Sequence, residues 1–131
     1  MNAPDVYRRH LEAAAIGDEA SLREVWDAAG VVEFPYAPSL GSADRLDGID
    51  RIVEYFAGLQ LFGPFTFGTV EMWALDNART HWLAELHASS VILATGFPYE
   101  QDYVVRFELG SSGRLVWMRE YWDPTRLTRP S

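Results

Sequence analysis

Two glutamates in this sequence are set among bulky apolar residues, where a carboxyl can move protons. Glu120 stands in Leu115-Val116-Trp117-Met118-Arg119-Glu120-Tyr121-Trp122, and Glu85 in Trp82-Leu83-Ala84-Glu85-Leu86-His87. A carboxyl removed from water holds its proton more tightly, which suits it to general acid or base work near neutral pH. Strand alternation puts Glu120 on one face with Val116, Met118 and Trp122, and Arg119 on the other with Leu115, Trp117 and Tyr121. Glu120 is then either a pocket carboxyl or one half of a structural ion pair with Arg106 or Arg119. Glu85 and His87 share a face. They are either a second pocket carboxylate opposite Glu120 with a histidine nearby, or a cross-strand polar pair on an outer, dimer-forming face. His10 follows Tyr7 by one helical turn. Facing inward it would donate to a ligand carbonyl; otherwise it is an ordinary exposed or satisfied histidine. Trp26, Phe34, Tyr55, Phe56, Tyr103 and Trp122 form an aromatic set that could hold a flat apolar or aromatic ligand, with Met118 beside them, although several must be plain core. The candidates are Glu120 and Glu85 for catalysis, and His10, Trp26, Phe34, Tyr55, Phe56, His87, Tyr103, Met118 and Trp122 for ligand binding.

Other chemistries are closed to this chain. It has no cysteine, so disulfides, zinc thiolates and thiol nucleophiles are excluded. It has no lysine, so a lysine Schiff base is excluded. Three histidines at scattered spacing form no recognised metal motif. No glycine-rich phosphate loop is present, and no cofactor is expected. A net charge of −8 repels phosphate backbones, which argues against nucleic acid. No stretch resembles a signal peptide or a membrane span, so the expectation is a soluble, cytoplasmic protein.

These residues must be positioned by elements that the apolar spacing predicts. Tyr7, Leu11, Ala14 and Ala15 predict a helix over 4–16, with Pro4 in its first turn and Gly17 at its end. Leu22, Val25, Trp26 and Ala29 predict a second helix over 19–29, capped by Asp18. A short strand over 31–35 and a loop over 36–45 follow, and then a helix over 48–59, capped by Asp47, with Asp50 in its first turn. Strands are expected over 65–75, 79–93, 99–109 and 114–122, with turns at Asp76-Asn77, Gly96-Phe97-Pro98 and Ser111-Ser112-Gly113 and a bulge at Ser89-Ser90. With 131 residues, no repeats and no linker, this is one domain. Helices followed by long antiparallel strands make an α+β fold, a curved sheet wrapped around three N-terminal helices as an open cone. The last strand is apolar on both faces, so one face should line the cone and the other should meet a second subunit.

The order and lengths of these elements resemble the nuclear-transport-factor-2-like superfamily in its SnoaL-like branch, the cystatin-like cone that also carries ketosteroid isomerase. The resemblance rests on Val32-Glu33-Phe34-Pro35, on Leu46-Asp47-Gly48-Ile49-Asp50-Arg51-Ile52-Val53-Glu54-Tyr55-Phe56, and on Arg119-Glu120-Tyr121-Trp122-Asp123-Pro124. Within the branch, the chain is most similar to phenazine-biosynthesis A/B proteins, through Trp82 and Glu85, through Tyr99, Gln101 and Tyr103, and through the Arg119 to Pro124 ending. The resemblance implies a small-molecule pocket of secondary metabolism, a homodimer, and an acid/base role for Glu120. It also marks departures. Where ketosteroid isomerase has its base, its tyrosine and its protonated aspartic acid, this chain has Phe34, His10 and Tyr103. Where limonene epoxide hydrolase has its aspartate, arginine and aspartate, it has Glu85, Leu83 and Glu120.

Two functions remain open at this point. One is isomerase-, cyclase- or condensation-type acid/base chemistry on an apolar or aromatic carbonyl metabolite. The other is a non-catalytic dimer that binds an aromatic or polycyclic metabolite. A protein-interaction module on the outer sheet face is a further option.

Overall fold

The structure is a computed structural model that describes residues 1–59 and 61–128. Helix α1 (Ala3–Ile16) starts where the Asn2 side chain accepts the Asp5 N–H at 2.9 Å. It stops at Gly17, whose φ of 69° is left-handed and suits glycine. Helix α2 (Glu19–Val25) is capped by Asp18 as expected. It is four residues shorter than its apolar spacing predicts. Strand β1 (Trp26–Glu33) takes over at Trp26 and pairs in parallel with the last strand. Sheet pairing at Trp26 and from Val31 onward outweighs the helical propensity of Ala28 and Ala29.

A 3-10 turn (Ala37–Leu40) and the short strand β2 (Arg45–Asp47) lead to helix α3 (Ile49–Ala57). Asp47 does not cap this helix. Gly48 occupies the cap position with φ 89°, and Asp47 instead accepts from Arg45 at 2.9 Å. The predicted strand over 65–75 is two pieces, β3 (Thr66–Phe67) and β4 (Glu71–Ala74), both antiparallel to β5 (His81–Val91). Between β4 and β5, Asp76 holds the turn by accepting the N–H groups of Thr80 and His81. Strand β6 (Pro98–Leu109) pairs with β5 along their whole length without a register shift, so Ser89-Ser90 is not a bulge. Strand β7 (Leu115–Tyr121) and a terminal turn of helix, α4 (Thr125–Thr128), complete the order.

The sheet runs β2-β1-β7-β6-β5-β3, with β4 also on β5. It is curved, open and mixed, because β1 and β7 are parallel while every other pair is antiparallel. A register shift places Leu109 opposite Leu115 and Glu108 opposite Trp117, which leaves Val116 as an extra residue. The bulge moves Leu115 onto the inner face, where it is fully buried with Met118. Strict alternation from Glu120 back to Leu115 therefore misassigns that one side chain.

The helices cover the concave face. Tyr7 of α1 stacks on Phe107 of β6 at 4.8 Å, and Leu22, Trp26, Ile52 and Phe34 fill the space beside them. The convex face carries a polar and aromatic network. The indole N–H of Trp117 donates to Glu33, and the Arg106 and Arg119 guanidinium groups lie 5.4 and 5.3 Å from the Trp117 ring. Arg119 pairs with Glu33 at 3.4 Å rather than with Glu108 or with Glu120.

Candidate active site

Between the helices and the concave face lies a cavity of about 290 Å³. Helix α1 lines it with Tyr7, His10, Leu11 and Ala14, one face of an α-helix. Helix α3 adds Tyr55 and Phe56, and the end of β1 leads into Phe34. Strand β6 presents Tyr99, Tyr103 and Val105, and β7 leads from Glu120 to Trp122. Phe62, Phe65 and Leu127 complete the lining.

Glu120 faces this cavity from beside Val105. Its carboxyl makes no hydrogen bond or ion pair with any described residue, and the accessible surface that remains to it opens on the cavity. Burial raises its pKa from the ordinary 4.5 to about 7. Four tyrosines feel its charge. Burial first, and Glu120 after it, raise the pKa of Tyr7 and Tyr55. The same two influences, together with coupling between the two phenols, act on Tyr99 and Tyr103. All four hydroxyls are neutral donors at ordinary pH.

His10 is buried in the wall. Its Nδ1 accepts the indole N–H of Trp26 at 3.0 Å, and the Phe56 ring meets it edge-on at 4.6 Å. Burial lowers its pKa to about 3, so the ring is neutral.

Gln101 is buried beneath the site. Its Nε2 donates to the Tyr99 hydroxyl at 3.0 Å and to the Asp123 carbonyl at 2.8 Å, while its Oε1 accepts the Asp123 N–H at 3.0 Å. That clamp fixes the chain just after Trp122.

The cavity therefore gathers Glu120, His10, Phe34, Tyr55, Phe56, Tyr103 and Trp122 from the candidates. Trp26 and Met118 are buried behind its wall, Trp26 reaching it only through His10. Glu85 and His87 lie elsewhere. On β5 the buried set is Trp82, Ala84, Leu86 and Ala88, which turns Glu85 and His87 to the convex face. Glu85 is exposed opposite Val104, and His87 binds Asp102 at 2.8 Å. No second carboxylate stands opposite Glu120 among the cavity's described residues. Tyr7, Tyr99, Phe62, Phe65 and Leu127 were not foreseen. Tyr7 heads the same helical stripe as His10, and Tyr99 alternates with Gln101 and Tyr103, so both carried a periodic signal. Phe62, Phe65 and Leu127 lie outside the predicted pattern of pocket-facing residues.

Among the described residues no three His, Asp or Glu side chains converge as a metal set, and no helix is long and apolar enough to cross a membrane.

No protein-family model matches the sequence. The chain is 38% identical over 126 residues to YesE of Bacillus subtilis, covering 93% of this chain and 82% of YesE. It is 27% identical over 129 residues to a phenazine-biosynthesis-A/B-like protein of Pseudomonas aeruginosa, covering 96% of this chain and 87% of that one. A solved Bacillus subtilis structure, provisionally assigned as an isomerase, superposes with a TM-score of 0.85 at 29% identity, covering 98% of this chain and 94% of the other. Together with the cone, its helices and its pocket, the 38% identity places the chain in the family of YesE, and its fold is the nuclear-transport-factor-2-like cone.

Proposed function

We propose that this protein is a cofactor-independent acid–base enzyme that moves a proton beside the carbonyl of an uncharged, ring-bearing metabolite. One observation carries the reading: Glu120 is a carboxyl unpaired among the described residues, with a pKa of about 7, facing a cavity whose described lining bears no other charged side chain. As carboxylate it accepts a proton from the carbon next to the carbonyl. That C–H bond breaks, its electron pair becomes the C=C of an enolate, and the charge settles on oxygen. Glu120 then returns the proton to another carbon, which gives isomerisation, or the enolate carbon bonds to a second carbonyl carbon within the substrate, whose C=O π bond breaks and whose oxygen takes the proton from Glu120, which gives cyclisation. Phe34, Tyr55, Phe56, Tyr103 and Trp122 supply flat apolar walls for the rings. The cavity's described lining includes no arginine, which disfavours a substrate bearing carboxylate or phosphate.

The test needs no natural substrate. Solvent-deuterium exchange at the α-carbon of 2-tetralone, followed by proton NMR, reads the proton transfer directly. The wild-type protein should catalyse it, and Glu120→Gln should slow it at least about 100-fold. Equal exchange by both proteins would remove the acid–base role.

The placement of Glu85 on the convex face favours a second reading, a non-catalytic binder of an aromatic metabolite, because Glu120 then works without a partner carboxylate. Tight ligand binding with no exchange at any pH would support it. In either case we propose a homodimer through the convex face, where Trp117, Tyr121 and Arg119 sit half-buried and Val104 is exposed. A monomer in gel filtration at micromolar concentration would contradict that assembly.

A further inference from the structure

We propose that His10 is the fixed hydrogen-bond donor to the substrate's carbonyl oxygen, and that Trp26 is the positioning residue that sets its tautomer; this rests on the reading that the cavity takes an uncharged carbonyl compound. An indole N–H can only donate. Since Trp26 Nε1 donates to Nδ1 of His10 at 3.0 Å, Nδ1 carries no proton and the neutral ring's proton is on Nε2. Both residues are 1% exposed, so water does not compete for the bond.

Nε2 has no hydrogen-bond partner among the described residues. Among those residues, only Arg106 Nε and Arg126 Nε are sealed away without one. His10 lines the cavity, and with Nδ1 taken by Trp26 the Nε2 N–H is the polar group that its ring can offer there. The ring cannot turn away, because Phe56 meets it edge-on at 4.6 Å and Tyr7 lies at 6.0 Å. A buried donor left without an acceptor is costly, and a ligand oxygen recovers that cost.

The chemistry favours carbonyl over carboxylate. A neutral imidazole N–H stabilises an oxygen that becomes anionic without giving up its proton, and it needs no reorganisation to do so. An anionic ligand would face Glu120 with no cation to balance it. The Tyr7 hydroxyl on α1 and the Tyr99 hydroxyl, which accepts from Gln101, can also donate, but His10 is the donor on the α1 side whose ring a second buried side chain fixes, while Glu120 serves the carbon from β7.

The experiment compares 2-tetralone with tetralin, the same rings without the carbonyl. Wild-type protein should bind the ketone about tenfold more tightly, the return on pairing one buried donor. His10→Phe should reduce that preference to about twofold or less, and Glu85→Gln, on the convex face, should preserve it. Nitrogen-15 NMR on the wild-type protein provides a measurement that does not depend on any variant folding. His10 should be neutral with its proton on Nε2 at pH 6, and that N–H should move downfield with 2-tetralone and not with tetralin. In Trp26→Phe the Nδ1–H tautomer should become populated. A wild-type His10 protonated on Nδ1, a wild-type protein with no preference for the ketone, or an undiminished preference in His10→Phe would overturn the proposal. Its failure is separable from that of the acid–base reading. If Glu120→Gln abolishes deuterium exchange while His10→Phe keeps the ketone preference, only the donor assignment falls. If the preference vanishes in His10→Phe while Glu120→Gln still exchanges, only the acid–base role falls.

Discussion

Gln101 and Asp123 exchange two hydrogen bonds across 22 residues, side-chain Nε2–H to backbone carbonyl at 2.8 Å and backbone N–H to side-chain Oε1 at 3.0 Å. The same amide holds the Tyr99 hydroxyl, so one buried side chain ties the end of the last strand to the cavity wall. Replacing it with leucine keeps the volume, removes all three hydrogen bonds and leaves the Asp123 N–H without a partner among the described residues, while the Asp123 carbonyl keeps the Arg126 N–H. Gln101→Leu should lose about 2 kcal/mol and about 6 °C in Tm. Thermal melts followed by circular dichroism check this, and a melt equal to wild type would mean that water replaces the clamp.

Glu120 makes stability depend on pH in an unusual direction. Its pKa is about 7 folded, against an ordinary value of 4.5. Between those values the folded chain holds a proton that the unfolded chain has lost. Stability from this group is therefore complete below about pH 4.5, falls as pH rises to about 7, and is level above. The full fall is worth roughly 3 kcal/mol. Asp18, Asp76, Glu100 and Asp123 have lowered pKa values and act in the opposite sense, losing stability only as pH falls into the acid range. The difference between wild type and Glu120→Gln isolates the one group. Urea midpoints should show the variant gaining on wild type from pH 5 to pH 7.5, and parallel curves would place Glu120 in contact with bulk water.

The rate of α-carbon exchange should follow the same titration. The carboxylate is the active form, so the rate should rise with pH and level off above about 7. Glu120→Asp retracts the carboxyl and should lower the plateau while keeping a single ionisation. A pH-rate profile with 2-tetralone reads both, and a wild-type midpoint near pH 4.5 would show that the cavity does not desolvate Glu120.

How far the sequence discloses this arrangement depends on which physical rule governs each residue. Period-two alternation puts Glu120 on the face of Met118 and Trp122, and that assignment holds because β7 is regular from Trp117 onward. It fails for Leu115, because a bulge adds one residue and a bulge leaves no periodic trace. Glu85 is instructive. Its strand carries Trp82, Ala84, Leu86 and Ala88 at even positions, and that small-and-large apolar set marks the inner face. The family likeness gave Glu85 a partner's role that its own alternation argues against. The end of α2 is illegible for a different reason. Ala28 and Ala29 continue a helix well, and pairing with β7, which begins at Trp26 with Leu115, 89 positions away by number, draws them into β1. His10 is a periodic residue whose orientation the spacing allows, but its tautomer depends on Trp26, a long-range contact that no local pattern encodes.

The backbone beneath Trp26 gives the last prediction. A Cβ built on Gly30 would lie 2.7 Å from Cε3 of the Trp26 ring and 3.1 Å from the Asp27 carbonyl oxygen, so glycine is required there by close approach. The ring is 1% exposed and lies too close for a Cβ, so Gly30→Ala must displace it. The loss should be about 2 kcal/mol from overpacking. It should also pull the indole N–H away from His10, so the Nδ1–H tautomer should rise in the nitrogen-15 spectrum together with the fall in Tm. Gly41→Ala is the contrast: a Cβ there meets nothing within 4 Å, and only its left-handed φ of 75° is strained. That variant should cost about 1 kcal/mol and leave the His10 resonances unchanged. If Gly30→Ala lowered Tm without altering the His10 tautomer, the indole would have found another way to keep its hydrogen bond, and the close packing of Gly30 would concern stability alone.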